Sequence, residues 1–428
     1  MLWWGVRDGR VETAIAAPAL GEPARGDAPA LVCPAADPWP FRYLLGAGIC
    51  NQAAFWMQQV GLGWLVLELT DSSLQLGVAS FLRGVPMLLL SPVSGVLVDR
   101  LDRRGLTLVA LGSLTLSTLL LAALISLHWV QPWHAFLVAL VSGVAVTVSF
   151  PARQAMIPNL VPHAEVSRAV ATMAAGQNGA RVVAPGLAGA LISVSGLATS
   201  FYVQSLPFLA SFLLIWAVPP VPRPAGVDRG ILANMLAGFA HIRGSPRLLG
   251  LMLLAIVPTV LAMPYQQLLP VFARSVYDTG PSGLGALLTA NSIGAFGGAL
   301  VATRLMGMGR RGLTLLLGGV GVGGGLILLA VAQTYVVGLA MVILTGGAFS
   351  VYNATNNALI HEATTDAFRG RVMSIYLMTW SLMPLGTLPA GALADQVGAP
   401  LTVAIGGGLC ALLVGLVWAR TPALRDIH

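Results

Sequence analysis

The sequence predicts an all-α membrane protein of about twelve transmembrane helices in two six-helix bundles, with both termini in the cytoplasm. Three observations carry that expectation. Hydrophobic residues make up 56% of the chain and charged residues only 9%, far from the roughly one-quarter share of charge in soluble proteins. The charges sit in short islands between long apolar runs. The basic islands also alternate in a way that places nearly all of them on one side of a bilayer.

A crossing needs about 20 apolar residues. Runs of that order fall at 43–67, 76–98, 106–127, 133–150, 169–194 and 199–218, and again at 249–273, 283–303, 313–333, 335–359, 372–394 and 400–419. Between the two sets lies 219–248, with Pro219, Pro220, Pro222 and Pro224 followed by a helical-looking stretch, Ile231–Ile242, flanked by Arg229, Arg243 and Arg247. The expected organisation is a disordered cytoplasmic tail over 1–40, a first bundle over 41–218 and a cytoplasmic linker over 219–248. A second bundle over 249–420 and a short tail over 421–428 complete it.

The 23 basic residues are all arginine. With the N-terminus inside and the sides alternating, only Arg274 lies in an external loop, and Arg83 and Arg181 lie within spans. The other twenty of the 23 fall on the cytoplasmic side, and a miscounted helix would scramble that pattern. The net charge of +7 is therefore a signal of orientation in the membrane, and no nucleic-acid partner is expected. Without lysine there is no P-loop for ATP and no Schiff-base cofactor. Cys33, Cys50 and Cys410 share no metal-ligand spacing, so neither a metal nor a cofactor is expected.

Amides are costly in lipid and tend to face a bundle interior or a wet cavity. The first run carries Asn51, Gln52, Gln58 and Gln59, the fifth Gln177 and Asn178, the seventh Gln266 and Gln267, the eighth Asn291, and the tenth Asn353, Asn356 and Asn357. Runs three and twelve carry none. That unevenness marks Asn51, Gln52, Gln59, Gln177, Gln266, Asn291, Asn353 and Asn357 as candidates for a substrate pathway; the bland reading is interhelical hydrogen bonding.

Between runs two and three stands Gly95-Val-Leu-Val-Asp99-Arg100-Leu-Asp102-Arg103-Arg104. It resembles the G-x-L-a-D-r-x-x-r-r signature of the major facilitator superfamily. The likeness extends over about 41–420. Pro151-Ala-Arg153-Gln154-Ala, Arg181-Val-Val-Ala-Pro185-Gly186-Leu-Ala-Gly189 and Arg369-Gly370-Arg371-Val372-Met373 resemble the bacterial branch that holds siderophore exporters and macrolide efflux proteins. Pro185 and Gly189 match the antiporter signature of that fifth span, while Ala180, Ala184 and Ala188 replace its glycines. The resemblance implies a secondary transporter of the bacterial inner membrane, working as a monomer among lipids and exporting small amphiphilic molecules against protons. It also implies a gating role for Gly95, Asp99, Arg100, Arg103 and Arg104, which in the family latch the two halves. The second half has only a worn copy, Gly298-Ala-Leu300 before Arg304, Arg310 and Arg311.

Arg181 lies about 18 Å into its span and Arg83 about 12 Å into its own, and an embedded ionisable group is a functional candidate by default. Both join the substrate-pathway set. Glu68, near the outer end of the first run, is the candidate proton-coupling carboxylate; a wet interfacial acid is the alternative. Phe55, Trp56, Tyr376 and Trp380 are candidates for substrate contact or for packing. Embedded arginines without embedded acids argue against a cationic substrate. A lipid flippase or an importer of the same fold is the nearer alternative. A membrane enzyme using His361 and Asp366, which match H-x-x-x-x-D, is the distant one.

Overall fold

The structure, a computed structural model, describes residues 39–220, 231–307, 309 and 311–421. Residues 1–38 and 422–428 of the expected tails, Cys33 and residues 221–230 of the linker lie outside the described residues, as do the side chains of Asp99 and Arg100; Trp39 and Pro40, expected in the tail, belong to the first helix.

Helices α1 (Trp39–Thr70), α2 (Ser73–Arg100), α3 (Arg103–Ser126), α4 (Pro132–Leu160) and α5 (Val166–Ala217) form a first group. Helix α6 (Ile231–Gly244) follows, where the linker pattern predicts a helix. The second group comprises α7 (Pro246–Leu261), α8 (Tyr265–Val271), α9 (Gly280–Met306), α10 (Arg311–Val331), α11 (Tyr335–Ala363), α12 (Asp366–Met378), α13 (Met383–Val397) and α14 (Ala399–Arg420).

Among the described residues, nine helical segments are long and apolar enough to cross a membrane, against about twelve expected. Three differences account for the gap. Four amides lower the hydropathy of α1. The run 372–394 is divided between α12 and α13 by a 3-10 turn at Thr379–Leu382. The runs 169–194 and 199–218 are the two arms of α5, two helices that follow one another without a loop and meet at Gly196. Gly196 has φ 81° and ψ 171°, a conformation open to glycine and strained for other residues. Ala169 and Met173 from one arm of α5 share a buried apolar cluster with Phe208 and Ile215 from the other. The second arm therefore folds back on the first at Gly196.

The two groups meet along two seams, α5 on α9 and α2 on α13. A Cβ on Gly189 would fall 2.4 Å from the Pro281 carbonyl oxygen, and one on Gly391 2.6 Å from that of Ser73. Each faces another glycine, Gly285 and Gly77 respectively. The seams close by backbone approach, as small residues permit in membrane bundles. Both lie toward the end holding the α1–α2 turn. Further links cluster there: Asp395 at the end of α13 accepts from Ser72 Oγ at 2.6 Å and from the amides of Ser73 at 2.5 Å and Leu74 at 3.1 Å. Arg274 donates to the Leu67 carbonyl at 2.6 Å and pairs with Asp71 at 3.4 Å.

Candidate functional site

The polar residues of α1 sort onto different neighbours because successive helix positions are rotated by about 100°. Gln58 is fully buried inside the first group, taking Ser142 Oγ at 2.9 Å and facing Thr118. Gln59 points across to the second group, where its amide donates to Gln267 Oε1 at 2.7 Å; Ser80 Oγ donates to the same oxygen at 3.0 Å. Arg83 ties both together, donating to Gln59 Oε1 and, at 3.3 Å, to Gln58 Oε1. Its guanidinium lies 4.3 Å from the centre of the Phe55 ring, a cation–π placement. No carboxylate takes part. An arginine, always charged, is held here by amide oxygens and an aromatic face.

Arg181 is the second interior cation. Its guanidinium stands 4.8 Å from the Trp56 ring centre, and its Nε is buried without a partner. Phe55 and Trp56 are adjacent in sequence and leave α1 in different directions, so one helix turn supplies the aromatic rest for both arginines. Arg181 faces a cavity of about 300 Å³ whose walls include Tyr265, Gln266, Asn291, Thr345 and Phe349. Asn291 Nδ2 donates to the Tyr265 hydroxyl within that wall. Phe349 also borders a second cavity of about 240 Å³, lined by Asn353, Asn356, Tyr376 and Trp380. There the Tyr376 hydroxyl donates to Asn353 Oδ1 at 2.8 Å, with Asn357 beside it. Phe349 is the wall common to both.

The remaining candidates spread out. Asn51 is buried with Oδ1 unpartnered, and Gln52 is half-buried beside it on α1. Gln177 packs over Gly48, where its Nε2 would lie 3.3 Å from an added Cβ; it is not among the residues lining either cavity. Glu68 is exposed near the end of α1, away from the arginine cluster.

At the other end of the first group, Asp102 caps α3 by accepting from the amides of Arg104 at 3.1 Å and Gly105 at 2.9 Å, satisfying helix-end donors. Arg103 donates to the Ala155 carbonyl at 2.9 Å, and Arg104 to those of Ile215 at 3.3 Å and Trp216. These arginines clip the last turns of α4 and α5, where the helix dipoles are negative.

Sequence reasoning missed Arg153. Its place in a basic pattern reads as membrane-edge charge, yet the residue is 6% exposed inside α4 with Nη1 unpartnered. Arg153 lies seven residues before the end of α4, not in the loop, and only the length of that helix reveals it. Asp395 joins the two groups. Phe55 and Trp56 act as platforms for arginine.

Helices packed around an arginine-bearing polar interior, closed at one end by glycine seams, define a multi-pass transporter of the major facilitator superfamily. The chain belongs to the transmembrane secretion effector family of that superfamily, which it matches over residues 34–428. It is 28% identical to the staphyloferrin A transporter of Staphylococcus aureus over 82% of this chain and 89% of that one. It is 26% identical to the multidrug efflux pump Tap of Mycolicibacterium fortuitum, covering 91% and 97%, and 26% identical to the enterobactin exporter EntS of Escherichia coli, covering 82% and 83%. Among solved structures, a mutant of the nucleoside transporter NupG superposes with a TM-score of 0.74 at 13% identity, covering 89% and 99%. A bacterial homolog of the lysosomal transporter Spinster, inward-facing and unoccupied, gives 0.71 at 13% identity, covering 91% and 99%. The structural likenesses establish the fold.

Proposed function

We propose that this chain is an exporter of small amphiphilic molecules, siderophore- or macrolide-like in size and polarity, working by alternating access in a bacterial inner membrane. The observation that carries the reading is the polar, arginine-bearing cluster at mid-depth, closed toward the α1–α2 end. The names of the relatives, two of them siderophore transporters and one a multidrug pump, support the substrate class.

The reading takes the chain across the bilayer twelve times, six in each half. It counts α1, the two arms of α5 and the broken α12–α13 as crossings. Both tails and the linker lie in the cytoplasm, and a single copy is the working unit. On this placement the α1–α2 end is external and the structure is open toward the cytoplasm. Asp99, with Gly95, Arg100, Arg103 and Arg104, then forms the latch that closes the cytoplasmic end in the opposite state. Arg83, Arg181, Gln59, Gln266, Asn291 and Asn353 form the substrate path, with Asn51, Gln52, Gln177 and Asn357 around it.

The energy source is either proton exchange or the membrane potential. Glu68 is the proton site proposed from sequence. Its exposed position gives it no contact with the arginine cluster, so Glu68→Gln is expected to leave export within about twofold of the parent chain; a loss beyond tenfold in a folded variant would restore it as the coupling site.

The test of export is accumulation in an efflux-deficient bacterial host expressing the chain, using 2,3-dihydroxybenzoylserine, citrate, erythromycin and ethidium, each with and without a protonophore. Lower accumulation of one class, abolished by the protonophore, is expected. No change for any compound would overturn export and favour a lipid flippase or an importer.

A further inference from the structure

Helix α6 stands between the two helix groups in the chain and carries two unlike faces. On one, Gly238 and Ile242 are buried and His241 is half-buried. A Cβ on Gly238 would fall 2.8 Å from Ile375 Cδ1 of α12. One turn on, the His241 ring stacks parallel to that of Phe368, with centres 4.2 Å apart. That face is spent on α12. The opposite face gathers Leu236, Phe239, Ala240 and Arg243, which recur at helical spacing and are all exposed. Leu236 is 63% open and Phe239 49%.

What covers that face follows from where the helix is held. Only Ser245 separates α6 from α7, which opens a segment apolar enough to cross a membrane. Ser245 caps that segment by accepting from the Leu248 amide at 3.4 Å. Phe368, under His241, is the third residue of α12, which begins the eleventh crossing in the reading given above. Both attachments of α6 are therefore to the first turns of crossings, at headgroup depth. The setting is basic. Arg243 ends α6, Arg247 opens α7, and Arg369 and Arg371 lie in the first turns of α12. Asp366 pairs with Arg369 at 2.7 Å. Among the described residues, no carboxylate pairs with Arg243, Arg247 or Arg371. The Arg371 guanidinium rests 5.3 Å from the centre of the Phe368 ring.

We propose that the outer face of α6 docks on the cytoplasmic leaflet and that its partner there is an anionic phospholipid. Leu236 and Phe239 enter between headgroups, as the apolar face of an interfacial helix does. The arginines meet phosphate oxygens through charge-assisted hydrogen bonds. A leaflet offers apolar depth and negative charge side by side, which is the combination this face presents in complement. Because His241 is stacked on Phe368, the docked helix ties the start of α12 to the membrane surface. The proposal rests on the cytoplasmic placement of the linker and is independent of cargo and of transport direction.

The test places a nitroxide at Ala240→Cys in the full chain, in a background lacking the native cysteines. The protein is reconstituted in nanodiscs of phosphatidylcholine alone or of equal parts phosphatidylcholine and phosphatidylglycerol. Collisions of the label with oxygen, which enters lipid, and with a water-soluble nickel chelate report what covers the face. In the mixed discs oxygen is expected to reach the label and nickel to be excluded; in neutral discs nickel gains access. Arg243→Gln is expected to lower the docked-to-free ratio in the mixed discs about fivefold. Arg243→Lys, which keeps the charge, is expected to retain it, and Leu236→Ser with Phe239→Ser to lose it in both lipids. Raised salt should act like the loss of an arginine. Equal access for nickel in both discs would overturn the proposal by leaving the face in water. Exclusion of both reagents would overturn it in favour of a protein cover, a second copy included. Oxygen access unchanged by phosphatidylglycerol would remove the anionic partner. Release by inorganic phosphate at fixed ionic strength would assign the arginines to a soluble ion instead. None of these outcomes reads transport, so failure of the exporter reading in accumulation assays remains a separate result.

Discussion

Arg83 and Gln59 join the two helix groups through a chain of hydrogen bonds that ends on Gln267. Gln59→Leu removes the middle of that chain; Gln267 keeps Ser80 and Arg83 keeps Gln58, so the cost is that of the lost hydrogen bonds, about 1–3 kcal/mol. A lowered midpoint in thermal unfolding of the detergent-solubilised protein checks this; an unchanged midpoint would mean that water replaces the glutamine. At this scale the sequence was legible where a residue type was rare in its setting. Interior arginines and amides stand out against Leu, Val and Gly, so Arg83, Arg181, Gln59 and Asn291 could be picked without coordinates. Arg153 could not, because a cytoplasmic arginine is common and only the length of α4 reveals that this one lies within the helix. Tyr265 was hidden for a different reason: an aromatic in an apolar run carries no pattern, and its partner Asn291 is 26 positions away.

Elements broke where the chain needed to turn. Nothing stands within 4 Å of a Cβ added at Gly196, so Gly196→Val tests the backbone alone. It is expected to destabilise by about 1–3 kcal/mol, read as a lower unfolding temperature with substrate affinity intact; no shift would mean that the turn tolerates an ordinary residue. The apolar pattern separated the two runs on either side of Gly196, and the non-helical backbone at Gly196 divides them in the structure as well. Helix α2 begins on a carboxylate from α13, one residue beyond the apolar run 372–394. Slight burial pushes the Asp395 carboxyl up, but the bonds from Ser72, Leu74 and Ser73 outweigh it and hold it below the usual carboxylate range. Its stabilising effect is therefore fully present above the ordinary value of about 3.9 and is lost only as pH falls through the lower folded value. Opening of the external end, measured by hydrogen exchange corrected for its intrinsic pH dependence from pH 8 to pH 5, should stay flat in the parent chain and rise at every pH in Asp395→Asn. A rise with acid in the parent chain would sink this account.

For the whole molecule, the proposed latch and the seams lie at opposite ends of α2. Asp99→Asn is expected to slow turnover while leaving substrate affinity within about twofold, since Asp99 lies at the end of α2 far from the arginine cluster; a large loss of affinity would remove it from gating. Cysteines at positions 72 and 395, whose present side chains are hydrogen-bonded at 2.6 Å, are expected to cross-link in a background lacking the native cysteines. Transport should stop on oxidation and return on reduction; continued transport by the cross-linked protein would mean that the external end need not open. The spacing of apolar runs and the central linker are what the sequence offers for two halves. Which end was closed could not be read from sequence, because the seams are made of glycines that look alike in every span.

Those seams carry a consequence for how the resting state responds to change. An ion pair can be loosened by salt or acid, but two backbones in contact offer neither solvent a handle. A methyl group is another matter: at Gly391 or Gly285 it would meet a carbonyl oxygen at 2.6 Å, and the only relief is for the helices to part. Beside the Asp395 and Arg274 contacts, which acid or salt can reach, the seams thus hold the closed end by hydrogen atoms, insensitive to the medium and exposed to the smallest of mutations.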